Sequence, residues 1–259
     1  MQNSTLHIET TGTGPDLVLI HGWGLHGGLW SSLSRTLSDS YRIHAIDLPG
    51  HGNSPLPEMP YTIDHVAEYV ADAVPAGASW MGWSLGGMIT LAAALNGANI
   101  CKLVLVGAGP RFIQDSDWPH AISPEVLQGF SKELANDYHA TLMHFLALQA
   151  RGSERGREEL RTLRAKLFSH GEPAPEALRG GLTILQQADL RQRLPEIEQP
   201  VLLIHGEKDT LFSLESAKAT ARALPDSQLV TIKGAGHAPF LSHPDTFTSL
   251  LKDFLNERS

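Results

Sequence analysis

The chain has 259 residues, 42% of them hydrophobic, which is enough to bury one large core or a core with an inserted subdomain. A formal charge of −8 and a pI near 5.9 exclude nucleic acid as a general partner, and a single cysteine, Cys101, excludes an intrachain disulfide. The polar start Met-Gln-Asn-Ser-Thr lacks a signal-peptide pattern, and no apolar run approaches the roughly 20 residues that span a bilayer, so a cytoplasmic protein without membrane contact is expected.

In chain order, the first buried strand is predicted over 17–20, and the loop behind it reads His21-Gly22-Trp23-Gly24. A helix over 30–37, a strand over 42–46 and a helix over 63–74 follow, the alternation of a parallel α/β sheet. Gly22-Trp-Gly-Leu-His-Gly27 also matches G-x-G-x-x-G, with Asp47 about 20 residues on, which is formally a dinucleotide fingerprint. That reading is set aside because Asp47 opens the turn-rich run Asp-Leu-Pro-Gly-His-Gly-Asn-Ser54, and because the first loop has a different use.

The strand at 79–81 runs into Gly82-Trp-Ser-Leu-Gly-Gly87 and a buried helix over 85–95, which together make the strand, turn and helix of a nucleophile elbow. Gly82 and Gly86 stand where the turn leaves no room for a Cβ, and Ser84 projects its hydroxyl above the sheet. The helix from Leu85 aims free N–H groups and its positive dipole end at the reacting centre.

After a strand over 102–106, no strand signal returns until 201–204, an interval too long for a connection within a compact sheet. It reads as a helical lid, 111–188, inserted into a core made of 1–110 and 189–259. Helices are predicted over 124–136, 137–150, 153–168 and 175–188, with Ser123 as N-cap before Pro124, and Gly152 and Gly171 as stops. On the second of these, Leu142, Phe145, Leu146 and Gln149 share one face, which packs on the core or lines a pocket. His139 and His144, five apart on the same helix, read as surface or pocket residues.

A serine hydroxyl is a poor nucleophile at neutral pH and needs an imidazole to take its proton and a carboxylate to orient that imidazole. Asp209 lies in His205-Gly-Glu-Lys-Asp209, just past the 201–204 strand, with Glu207 as its near competitor. His237 lies in Gly234-Ala-Gly-His-Ala-Pro239, just past a strand over 228–232; His243 is the alternative base, but reads better as capping sequence for a final helix over 246–255. A helix over 214–224 completes the series. The order Ser, Asp, His is that of the α/β-hydrolases. The oxyanion donors would be the backbone N–H groups of Leu85 and Trp23, with the Trp23 indole as a pocket wall. No H-E-x-x-H and no paired Cys/His spacing occurs, so neither a metal nor another cofactor is expected.

Four segments now carry a resemblance: His21-Gly-Trp-Gly-Leu25, Gly82-Trp-Ser-Leu-Gly-Gly87, Phe145-Leu-Ala-Leu-Gln149 and Gly236-His-Ala-Pro-Phe-Leu-Ser-His-Pro244. They closely resemble the pimeloyl-acyl-carrier-protein methyl ester esterases of bacterial biotin synthesis, over nearly the whole chain. The elbow and histidine loop are widespread among α/β-hydrolases, whereas Trp23, Trp83 and the Phe-Leu-Ala-Leu-Gln segment are more specific. The resemblance implies an α/β-hydrolase fold, a mostly parallel sheet flanked by helices with an inserted helical lid. It also implies a serine carboxylesterase that releases methanol from the far end of a pimeloyl chain carried on acyl carrier protein. Trp23, Ser84, Leu85, Phe145, Leu146, Gln149 and His237 carry over as substrate neighbours, and the acidic carrier is expected on basic lid residues. Residues 151–166 hold six Lys and Arg against three glutamates, a local excess of +3 on a chain of −8, with Arg157, Arg161 and Arg164 on one helical face. The plain alternative is a solvated face paired as Glu154 with Arg157 and Glu158 with Arg161. Ala140 and His144 depart from the resemblance, standing in place of further basic residues. A monomer is expected. Two other readings remain: a broad short-chain carboxylesterase, and an inactive hydrolase fold used as a binding module, which the intact triad and oxyanion loop disfavour.

Overall fold

The computed structural model describes residues 6–257 and is built on one seven-stranded sheet. Its strands are β1 (Ile8–Thr11), β2 (Asp16–Ile20), β3 (Arg42–Ile46), β4 (Ala78–Trp83), β5 (Ile100–Val106), β6 (Val201–Gly206) and β7 (Ser227–Ile232), in the order β1-β3-β2-β4-β5-β6-β7. Every pairing is parallel except β1 with β3. β2, β4, β5 and β6 are interior strands covered by helices on both faces, which is why they read as unbroken apolar runs. The sequence reading overlooked β1. Its Ile-Glu-Thr-Thr lies at the sheet edge with three of four residues exposed, so it carries no apolar run to detect.

Around the sheet lie α1 (Ser31–Leu37), α2 (Ile63–Ala73), α3 (Leu85–Leu95), α8 (Leu214–Ala223), α9 (Pro239–Ser242) and α10 (Pro244–Asn256). α3 is buried without a gap from Leu85 to Ala93, because it is packed between the sheet and neighbouring helices on all sides. The short α9 was not predicted. His243 precedes α10 as expected, yet its ring bonds the Ser242 hydroxyl instead of capping the helix, and Pro244 alone supplies the start.

Between β5 and β6 stand four helices, α4 (Pro124–Asn136), α5 (Tyr138–Gln149), α6 (Gly156–Lys166) and α7 (Pro175–Gln187). Ser123 precedes α4, but its hydroxyl donates to Glu125 Oε2 at 2.6 Å and makes no cap bond, a correction to the sequence reading. α6 starts three residues later than predicted because Ser153 is turned inward to the Glu159 carboxylate. The inner faces of α5 and α7 meet the core. Leu142 packs over Gly24, Gly181 lies against Trp23 and Leu85, and the Trp23 indole donates to the Leu178 carbonyl at 2.8 Å. No helix among the described residues is long and apolar enough to cross a membrane.

Candidate active site

Ser84 ends the turn from β4 into α3 with φ 55° and ψ −118°, and it is the one non-glycine residue with positive φ among the described residues. Reversing from strand to helix within one residue forces that strain. Gly86 is required beneath it, since a Cβ there would collide with the Ile20 carbonyl at the end of β2. The Ser84 N–H donates to the Val106 carbonyl at 3.0 Å and so pins the elbow to β5.

β6 and β7 are parallel neighbours, so the loops that follow them emerge at the same edge as the elbow. There His237 Nδ1 lies 2.8 Å from Asp209 Oδ2, with both side chains fully buried. The other Asp209 oxygen accepts the N–H groups of Leu211 and Phe212 at 2.8 and 3.0 Å. Burial alone would push the Asp209 carboxyl up; the adjacent His237 imidazole first, then the His205 ring and the Phe212 amide, outweigh it and hold the group below the usual carboxylate range. An ionised carboxylate at Nδ1 keeps the ring proton there and leaves the Nε2 lone pair free to accept another. His237 Nε2 has no hydrogen-bond partner among the described residues, so its bond to the Ser84 hydroxyl is not formed in this conformation. Such bonds commonly tighten only with substrate in place.

Trp83, beside the serine, donates its indole N–H to the His237 carbonyl at 2.8 Å and ties the histidine loop to the elbow. Glu207, the competing carboxylate, accepts the Gly234 N–H at 3.1 Å and braces the strand end before the histidine.

The loop after β2 approaches from the other side: a Cβ on Gly22 would come within 3.3 Å of the Ser84 Cβ. His21 fixes this loop. Its Nε2 accepts the Leu48 N–H at 2.9 Å, which leaves Nδ1 to donate to the Gly22 carbonyl at 2.8 Å. Burial first, and then the neighbouring His51, keep its pKa well below the ordinary histidine value, so the ring is a neutral strut. Among the described residues neither the Trp23 nor the Leu85 N–H has an acceptor, which leaves both free for a developing oxyanion. The Asp47 carboxylate of the dinucleotide-like fingerprint is fully buried and accepts from Gly27 N at 2.6 Å and Asn53 N at 2.8 Å, so it cannot reach a ribose.

Residues 17–250 match the Alpha/beta hydrolase family. The chain belongs to the alpha/beta hydrolase family. It is 45% identical over 250 residues to the pimeloyl-[acyl-carrier protein] methyl ester esterase of Xanthomonas axonopodis pv. citri (strain 306), a span that covers 96% of this chain and 98% of that one. The like-named protein of Stenotrophomonas maltophilia (strain K279a) is also 45% identical, over 96% of each chain. Among solved structures, a bromoperoxidase from Bacillus anthracis superposes with TM-score 0.90 at 27% identity, covering 97% of this chain and 95% of that one. That pairing shows how one hydrolase scaffold carries differently named activities.

In this hydrolase the helical insertion supplies Phe145, Leu146 and Gln149, all buried on α5. The Phe145 ring meets Trp23 edge-on at 4.9 Å between centroids. Gln149 is fully buried, and neither its Nε2 nor its Oε1 has a partner among the described residues. Its backbone lies against Gly236, next to His237. Arg157, Arg161 and Arg164 are exposed on α6, with no ion pair among the described residues. The pairing of Glu158 with Arg161 is not formed, because Glu158 bonds Arg155 instead, in contact with both guanidinium NH2 and Nε atoms.

Sequence reasoning passed over His21, His51 and Glu159. Glu159 is a buried carboxylate that accepts the Ser153 hydroxyl, and burial pushes its pKa up. Its place among the apolar inner positions of α6, four before Leu163, is the signal that marks it. One group among the described residues has metal-ligating geometry: His7, Asp47 and His170, which makes no hydrogen bond or ring contact with Ser84, Asp209 or His237.

Proposed function

We propose that this chain is a cytoplasmic, monomeric serine carboxylesterase that hydrolyses the methyl ester of pimeloyl-acyl-carrier protein. The observation that carries the chemistry is the strained Ser84 elbow beside a buried, hydrogen-bonded Asp209–His237 pair. The substrate rests on the names of relatives that match 96% of the chain at 45% identity.

In this reading the Ser84 oxygen attacks the ester carbonyl carbon while its proton passes to His237 Nε2. The carbonyl oxygen becomes an oxyanion received by the N–H groups of Trp23 and Leu85, aided by the N-terminal dipole of α3. Collapse expels the methoxy oxygen, which takes the proton from His237 and leaves as methanol. Water then attacks the acyl-serine, gives a proton to His237, and a second collapse frees the carboxylate and restores the Ser84 hydroxyl. Asp209 holds the imidazole orientation throughout and stabilises its transient charge.

The insertion selects the acyl group. Trp23, Leu85, Phe145 and Leu146 offer an apolar wall. The Gln149 amide offers a polar contact, and leaving it unpaired costs about 1–3 kcal/mol that a hydrogen-bonding substrate recovers. Beside α6 lies an open cleft of about 490 Å³ bordered by Leu148, Arg151, Arg157 and Leu160. Its basic rim suits an acidic carrier, and the unpaired Arg161 and Arg164 lie on the same helix.

The test compares kcat/KM on the methyl-pimeloyl carrier substrate with that on p-nitrophenyl butyrate, together with rescue of biotin-free growth in a strain lacking its esterase. Rescue and a clear preference for the carrier substrate are expected. Strong butyrate hydrolysis without rescue would instead support a broad short-chain carboxylesterase.

A further inference from the structure

Far along the chain from one another, three residues meet at the edge of the sheet: His7 just before β1, Asp47 just after β3, and His170 in the loop between α6 and α7. One imidazole nitrogen or carboxylate oxygen from each lies within 4.8 Å of the others. His170 Nδ1 is 3.6 Å from Asp47 Oδ2. His7 Nε2 and His170 Nδ1 are shielded from solvent and have no hydrogen-bond partner among the described residues. Two buried, unpartnered imidazole nitrogens facing one carboxylate are an unsatisfied donor set.

We propose that this trio binds one divalent transition-metal ion of the zinc class and fastens the helical insertion to the core. Two imidazoles and a carboxylate suit such ions, whereas magnesium and calcium prefer all-oxygen shells. A tetrahedral shell with bonds of about 2.0–2.1 Å sets ligand atoms roughly 3.3 Å apart, so closing on an ion takes a contraction of up to roughly 1.5 Å, and little of it between Asp47 and His170, whose atoms are already 3.6 Å apart. Glu9, whose Oε1 lies 3.8 Å from His7 Nε2, is within reach as a fourth ligand. With neutral imidazoles, two carboxylates then balance a divalent charge.

The surroundings hold these groups in place as outer-shell partners do in metal sites. Asp47 is fixed by the Gly27 and Asn53 amides. The His26 ring stacks on His170 at 4.0 Å between centroids. Ser54 receives the His7 N–H at 2.9 Å and donates to the Asp47 carbonyl at 2.6 Å, linking two of the three ligands. Gly52 leaves open the space beside Asp47 Oδ2 that a Cβ would fill. No local spacing search could find this set, because the three ligands come from separate segments and the sequence-based expectation of no metal rested on such spacings.

The experiment is calorimetric titration of Zn²⁺ into the full, chelator-stripped chain carrying no affinity tag. Saturable one-to-one binding is expected, weakened at least tenfold by His7→Ala and by His170→Ala, and unchanged by His65→Ala, an exposed histidine elsewhere. Zinc at a hundredfold excess over its Kd should raise Tm by about 5–10 °C. Co²⁺ in its place should give visible d–d bands, absent in His170→Gln, which keeps a polar side chain should the alanine variant fold poorly. No saturable binding, or binding that survives both histidine substitutions, overturns the proposal. The readout is independent of any ester substrate, so its failure and failure of the esterase reading are distinct results.

Discussion

The sheet-borne half of the site and the helical insertion above it are finished to different degrees. Around the elbow the groups that position others are matched: both Asp209 oxygens are bonded, His21 has a partner at each ring nitrogen, and Trp83 is tied to the His237 carbonyl, while groups that would meet substrate, such as His237 Nε2, stay open. In the insertion, Gln149 has no side-chain partner among the described residues, Glu159 Oε2 is likewise unpartnered, and three arginines lie unpaired on α6. The difference teaches where each task sits. Chemistry needs groups held still before substrate arrives, whereas recognition needs groups left unsatisfied until it does.

The largest effects should come from the matched half. Ser84→Ala and His237→Ala should each lower kcat on any ester by about 10⁴-fold or more with the native fold retained, and the double variant should be no slower than either single, since the two act as one unit. Steady-state rates of the three proteins check this; a multiplicative double loss would dissolve the unit. Asp209→Asn should cost about 10²- to 10⁴-fold, while Glu207→Gln, which only loosens a loop brace, should stay within about twofold. An essential Glu207 would move the orienting role to the wrong carboxylate.

The matched half should also set the acid limit of the fold. Burial depresses the His51 pKa to about 4 from an unfolded value near 6.5, so the native state stays neutral while the unfolded chain takes up a proton. Its effect on stability is therefore absent above pH 6.5, and stability falls as pH drops from 6.5 towards 4, by about 3 kcal/mol for this ring alone. Urea unfolding across that window measures the slope with chelator present. His51→Gln should lessen it, with the share of His21 remaining.

Smaller effects sharpen the insertion side. Replacing Arg157, Arg161 and Arg164 together by glutamate should reduce kcat/KM on the carrier substrate about tenfold, with p-nitrophenyl ester hydrolysis within about twofold and the gap closing as salt rises. Equal loss of both activities would make the stripe a folding element. Gln149→Met should lower kcat/KM on the carrier substrate a few-fold, while Tm holds or rises because an unpaired buried amide has been removed. Scanning calorimetry and kinetics on the same preparation read both arms, and a fall in Tm would mean that the amide is satisfied after all.

The sequence revealed the matched half more fully because its signals are local. An elbow, a strand followed by Asp209 and a strand followed by His237 each announce themselves within a few residues, and the resemblance added the insertion neighbours. What stayed hidden was set by tertiary contact. β1 is an edge strand without an apolar face, and α9 is a single turn between two prolines. Ser123 and His243 occupy cap positions, but their side chains found closer partners in Glu125 and Ser242. Glu158 chose Arg155 over Arg161, a choice among neighbours on one helix face that spacing alone does not rank.

A serine held at φ 55° makes the proposed nucleophile a weak point of the fold as well. Residues in such conformations cost about 1–3 kcal/mol, and glycine adopts them without that strain. Ser84→Gly should therefore fold at least as well as the parent while hydrolysing nothing. A library of this chain screened for heat resistance alone would drift toward discarding the serine, and any effort to harden the protein must select on turnover and melting together.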